Sequence, residues 1–228
     1  MILAAAVCPH PPALVPEVGP GVDDELGAVR QACDDVVRTL LDSSPDRVVV
    51  IGAGPQGADR DETAGGTLGA YGVDVTVGGP TRELPLSLTV GAWLLDRAGW
   101  TGPRTYSTGR PAVDGRVALL LMGDGSARRS LQAPGFLDDR AEAFDAGIAA
   151  ALAAGDAGAL SKLDLDLGAE LAAAGAPALR TLGELALDQA AHDHPGSGGT
   201  KKGADVTARL RVDVAPFGVG YVVADWLF

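Results

Sequence analysis

Apolar residues along this chain fall into two kinds of pattern. Three short runs, residues 2–7 (ILAAAV), 47–51 (RVVVI) and 116–122 (RVALLLM), carry no polar alternation. Such runs predict strands covered on both faces. Between them the spacing turns helical. Leu26, Val29, Cys33, Val36, Val37 and Leu40 recur at helical intervals, with Asp23 or Asp24 placed as a cap, so a helix is expected to about Leu41. A second helix is expected over 84–98, with Pro85 near its start, and several broken helices over 136–191. Residues 73–77 predict a further strand, and two strand-like runs, VTARLRVDV and GVGYVVADWLF, close the chain. The order is mixed α/β without internal repeats, in a single domain spanning 1–228. The runs at 2–7, 47–51 and 116–122 are expected in one sheet, with their C-terminal ends on the same side.

Composition narrows the partners. Apolar residues make up 46% of the 228 residues but aromatics only 4%, so small aliphatic side chains must do most of the packing. The formal net charge of −12 repels nucleic-acid backbones and anionic lipid. No nucleic-acid or membrane partner is therefore expected. No run is long enough to span a bilayer, and the opening residues lack the basic flank of a signal peptide. The two cysteines, Cys8 and Cys33, suggest neither a disulfide scaffold nor a zinc site. A reduced, cytoplasmic setting is the expectation.

The stretch DRVVVIGAGPQGADRD runs from a strand into Gly52, Gly54 and Gly57, spelling G-x-G-x-x-G. A dinucleotide fingerprint needs a helix directly after these glycines and an acidic residue at the tip of the next strand. The residues that follow, ADRDETAGGTLGAYG, have no helical periodicity, and Asp74 lies inside the next predicted strand. A nucleotide-dependent oxidoreductase is therefore the third-ranked reading.

The segment AAAVCPHPPALVPEVG resembles the opening of the LigB-type family, the class III extradiol ring-cleavage dioxygenases and their Memo-like relatives. The closing FGVGYVVADW is similar to the last strand of the family's actinobacterial members. The resemblance implies a LigB-like single domain, with a central, mostly buried mixed sheet flanked by helices. It also implies iron(II) held by two His and one Glu, with positions left open for a catecholate and dioxygen. A further His would serve as acid and base.

On that resemblance His10 stands as the first metal ligand. The family pattern V-V-V-I-S-P-H-G-P reads VVVIGAGPQG here, which puts Ala53 or Gly54 in the place of the second ligand. The pattern S-G-D-x-S-H reads GDGSARR. Gly123, Asp124 and Ser126 match, and Ala127 stands where the acid/base His belongs. Glu184 and Glu170 are the candidates for the carboxylate ligand. His10, Gly54, Asp124 and Ser126 are expected to line a pocket.

The leading expectation is thus a dioxygenase-like protein with a degenerate metal site that does not cleave rings. It would bind a small molecule or act through a partner, with no cofactor expected. The runner-up is an active enzyme with a rebuilt site for Fe(II) or another divalent metal, drawing on His192, His194 or Glu184. The His192-x-His194 pair could ligate a metal from an extended segment but reads first as part of a polar loop. Ser126 has no histidine base near it in sequence, which argues against a Ser-His-Asp hydrolase. Homo-oligomerisation is left open.

Overall fold

A computed structural model describes residues 1–193 and 206–228. Its centre is a six-stranded mixed sheet whose strands lie in the order β5 (Arg104–Ser107), β2 (Arg47–Ile51), β6 (Val117–Met122), β1 (Ile2–Cys8), β8 (Tyr221–Leu227) and β7 (Thr207–Val214). The three apolar runs are neighbours in it. β1 (Ile2–Cys8) pairs in parallel with β6 (Val117–Met122), and β6 pairs in parallel with β2 (Arg47–Ile51). Their C-terminal ends lie at one edge of the sheet, as expected. The closing strands β7 (Thr207–Val214) and β8 (Tyr221–Leu227) form an antiparallel pair, and β8 runs antiparallel to β1. The first residues of β8 therefore return to the same edge.

Continuous apolar runs are needed because both faces are covered. Alternate residues Ala4, Ala6, Cys8, Val48, Val50, Leu120 and Met122 face one core. This core also holds the apolar stripe of α1 (Asp23–Asp42) and most of α2 (Leu86–Arg97). The intervening Ala5, Val7, Val49, Ile51, Leu119 and Leu121 face the other core, against α3 (Ala141–Ala154), α4 (Ala157–Ser161) and α6 (Ala176–Asp193). A short helix α5 (Leu165–Glu170) precedes α6. Side chains such as Trp226, Leu119 and Leu120 are fully buried, each contributing about 1.5–3 kcal/mol.

Local details depart from the expectations. The cap position of α1 is Val22, which makes no side-chain capping bond, so the expected Asp23 or Asp24 cap gives way to a helix that begins at Asp23. The strand expected at 73–77 is β4 (Thr76–Gly78), and it lies outside the main sheet. It pairs with β3 (Gly65–Thr67) in a small two-stranded sheet. Gly66 lies so close to the Thr89 side chain of α2 that a Cβ would collide with it, which lets β3 lie on the helix. The edge strand β5 (Arg104–Ser107), unexpected from sequence, pairs with β2. Among the described residues no helix is long and apolar enough to cross a membrane.

Candidate functional site

Three loops leave the C-terminal ends of β1, β2 and β6, and β8 and α6 begin beside them. The first and third loops meet at His10 and Asp124. The His10 backbone N–H donates to Asp124 Oδ1 at 2.8 Å, and the His10 ring Nδ1 lies 3.5 Å from Oδ2. The ring contact is close enough to be ionic but lacks hydrogen-bond geometry, so His10 Nδ1 is a buried nitrogen without a hydrogen-bond partner. Both residues are buried. Burial pushes the Asp124 carboxyl above its ordinary range, partly offset by the His10 ring and by the His10 backbone N–H.

Asp124 sits at a crowded point. Its backbone bridges to Tyr221 at the start of β8. Burial first, and the Asp124 charge second, push the Tyr221 phenol well above its ordinary range. Gly175, just before α6, packs against the Asp124 backbone so closely that a Cβ there would collide with it. Directly below, Gly123 N–H donates to Cys8 O at 2.9 Å. The Cys8 and Cys33 thiols are buried side by side, and burial with the Cys8 contact pushes the Cys33 thiol up.

Ser126 is fully buried and structural. Its Oγ donates to Leu171 O at 2.8 Å and accepts from Arg128 N–H at 3.0 Å. Its backbone N–H donates to Asp145 Oδ1 at 2.7 Å. Asp145 also receives Arg129 Nη1 at 3.0 Å, and burial holds its carboxyl above the usual range despite these two donors. The same carboxylate packs close against Gly125 and Gly220. Asp145 thus ties the third loop to α3, a role the sequence reading missed. The available signal was its place on the apolar stripe Ala141, Phe144, Ile148, Leu152.

The remaining candidates do not join this pair. A Cβ on Gly54, which is exposed, would lie 2.7 Å from Pro85 Cγ and 2.9 Å from Thr108 Cγ2, so a side chain there would have to displace them. Gly54 lies against Pro85 and Thr108. Ala127 is fixed by its backbone, donating to Leu171 O at 3.2 Å and accepting from Gly135 N–H at 3.0 Å.

Glu184 sits away from the His10–Asp124 pair. It lies eight residues along α6 from Ala176, about 12 Å of helix, and α6 ends beside Ile2, at the opposite sheet edge, through Gln189. Its carboxylate pairs with Arg180 at 3.1 Å and Arg110 at 3.6 Å. Glu170 pairs with Arg140 at 2.8 Å. His192 lies in the last turn of α6 rather than in a loop, with Nδ1 2.8 Å from Asp188 O. His194 lies outside the described residues.

The helix that a dinucleotide fingerprint requires after Gly57 is absent. The chain passes through β3, a short 3-10 turn (Gly69–Tyr71) and β4 before α2 begins. Ser87, at the start of α2, donates to Ala53 O, and its side chain crowds Gly52.

An iron(II) centre of the family type does not fit the residues present. Of the histidine positions the resemblance marks, only His10 carries an imidazole, and that ring faces Asp124. Among the described residues no three His, Cys, Asp or Glu side chains cluster in a way that could hold a metal ion. No protein-family model and no curated protein sequence matches the chain.

Proposed function

We propose that this chain is a LigB-like α/β protein that has exchanged ring cleavage for binding, with a His10–Asp124 pair where its dioxygenase relatives hold iron. One observation carries the reading. The sole imidazole at the marked positions lies 3.5 Å from a buried carboxylate that the His10 backbone N–H also holds, and the second-ligand place, Ala53 or Gly54, carries no imidazole. Ring cleavage needs a metal that holds the diol and dioxygen together, with a positioned proton carrier beside it. Neither the ligand set nor the carrier is present at these positions.

The loops around Asp124 remain the natural ligand site, because open α/β sheets bind at the C-terminal ends of their parallel strands. A small polar molecule able to donate a hydrogen bond to Asp124 or to accept one from His10 suits them. The test is metal content after anaerobic loading with iron(II) and desalting. The reading expects iron far below one per chain. Stoichiometric iron, lost on His10→Ala, contradicts it.

A further inference from the structure

Three carboxylates among the described residues are buried: Asp124, Asp145 and Asp225. A buried charge is costly unless a neighbour compensates it. Asp145 receives Arg129 at 3.0 Å, and Asp225 receives Arg211 at 2.6 Å. Asp124 differs. Among the described residues no lysine or arginine pairs with it, and the His10 ring stays 3.5 Å away without hydrogen-bond geometry. The fold thus supplies a cation to two of its buried carboxylates and leaves the third without one.

One side of Asp124 is open. Asp124 is 9% exposed, His10 6% and Tyr221 4%. Even so, Asp124 Oδ2, His10 Nε2 and Tyr221 Oη make no hydrogen bond among the described residues, and none of the three atoms is enclosed. The bridge between Asp124 and Tyr221 is antiparallel, which sets the two side chains on one face with their Cβ atoms about 5 Å apart. The His10 ring lies against the same carboxylate. Three polar atoms, each on a residue at least nine-tenths buried, therefore surround one opening at the strand ends.

The chemistry of these atoms selects the ligand. A carboxylate accepts hydrogen bonds, and a phenol oxygen accepts as well as donates. The carboxylate beside His10 Nδ1 favours the tautomer with its proton there, which leaves Nε2 as an acceptor. An ammonium group brings a positive charge and three N–H donors to these three acceptors. An anion is repelled by Asp124 and by the net charge of −12. A neutral hydroxyl donates once and leaves the charge of the carboxylate unbalanced.

We propose, resting on the binding role above, that the opening beside Asp124 takes a primary ammonium group of a small ligand, which stands where the other buried carboxylates have an arginine. Donation to Asp124 is then the contact that holds the ligand. The probe is n-butylamine, an ammonium ion at neutral pH, added to the full chain after metal has been removed by chelation. The controls n-butanol and butyrate have similar shape but no positive charge. Binding is followed through backbone amide shifts by NMR. Butylammonium should bind saturably, with shifts centred on 8–11, 123–126 and 220–222, and both controls should bind about tenfold more weakly or worse. Asp124→Asn keeps the size of the side chain and removes its charge. It should weaken butylammonium by about tenfold or more, as loss of a charged hydrogen bond does. Tyr221→Phe leaves the ring in place and should weaken it by about threefold. Should Asp124→Asn fail to fold, Tyr221→Phe and the two controls carry the test. The proposal is overturned if butylammonium does not saturate these shifts, if the controls bind as well, or if folded Asp124→Asn binds as tightly as the unmodified protein. Metal-free protein that ignores the amine defeats this proposal alone, whereas stoichiometric iron after loading defeats the binding role beneath it.

Discussion

His10 and Asp124 meet twice, through a backbone hydrogen bond of 2.8 Å and a ring–carboxylate contact of 3.5 Å, and the two contacts tie the loop after β1 to the loop after β6. The carboxylate is the acceptor that keeps the His10 N–H from being buried unpaired. Asp124→Ala removes that acceptor and should destabilise the fold by about 1–3 kcal/mol, read by urea denaturation. Asp124→Asn keeps an acceptor oxygen and should cost less.

The same pair predicts a pH dependence. Burial raises the Asp124 pKa in the folded state. A group raised in this way favours folding below its unfolded pKa, near 4, and that contribution is lost as pH rises through the folded value. Asparagine does not titrate. The stability of Asp124→Asn relative to the unmodified protein should therefore climb as pH rises from below 4 towards neutrality. Asp145, which is also raised, is common to both proteins and cancels. Parallel stability curves, or a gap that narrows with pH, would count against a buried carboxylate at Asp124.

Glycine substitutions separate the present packing from a dinucleotide fold. No atom lies within 4 Å of a Cβ placed on Gly57, whereas one on Gly175 collides with the Asp124 backbone. Gly57→Ala should change stability by no more than about 0.5 kcal/mol. Gly175→Ala should cost about 3 kcal/mol, because the start of α6 must move. In a dinucleotide fingerprint the third glycine packs closely, so a large loss at Gly57 would reopen that reading.

Asp145 anchors the loop that bears Asp124 and Ser126. Asp145→Ala strands the Ser126 N–H and the mostly covered Arg129 guanidinium. The expected cost is about 2–3 kcal/mol by chemical denaturation, with faster amide exchange at 125–130. Unchanged exchange there would mean that the loop is held by other contacts.

How much of this could be read in the sequence differs by element. β1, β2 and β6 were legible because burial on both faces leaves unbroken apolar runs. The stripe of α1 was legible because one face meets a core. β5 was not, since three of its four residues, Arg104, Thr105 and Ser107, are polar, and they owe their strand to pairing with β2. β3 was hidden because glycine has little propensity for strands, and close approach of Gly65 to the backbone of 77–81 and of Gly66 to Thr89 of α2 is visible only in the fold. At the site, His10 and Asp124 could be assigned to one pocket, but their direct contact, which spans 114 positions, could not be read. Glu184 looked available because its distant partner Arg110 becomes visible only when α6 packs beside the loop after β5, although Arg180, one turn earlier on α6, was legible.

Oxygen uptake decides whether this chain, as we propose, does not cleave aromatic rings. Protein loaded anaerobically with iron(II) is mixed with protocatechuate or a related catechol in an oxygen electrode, beside an equal amount of free iron(II). The account predicts consumption no faster than the free-iron control and no ring-opened product. Turnover well above that control, abolished by His10→Ala, would contradict it and place a working iron centre at the strand ends.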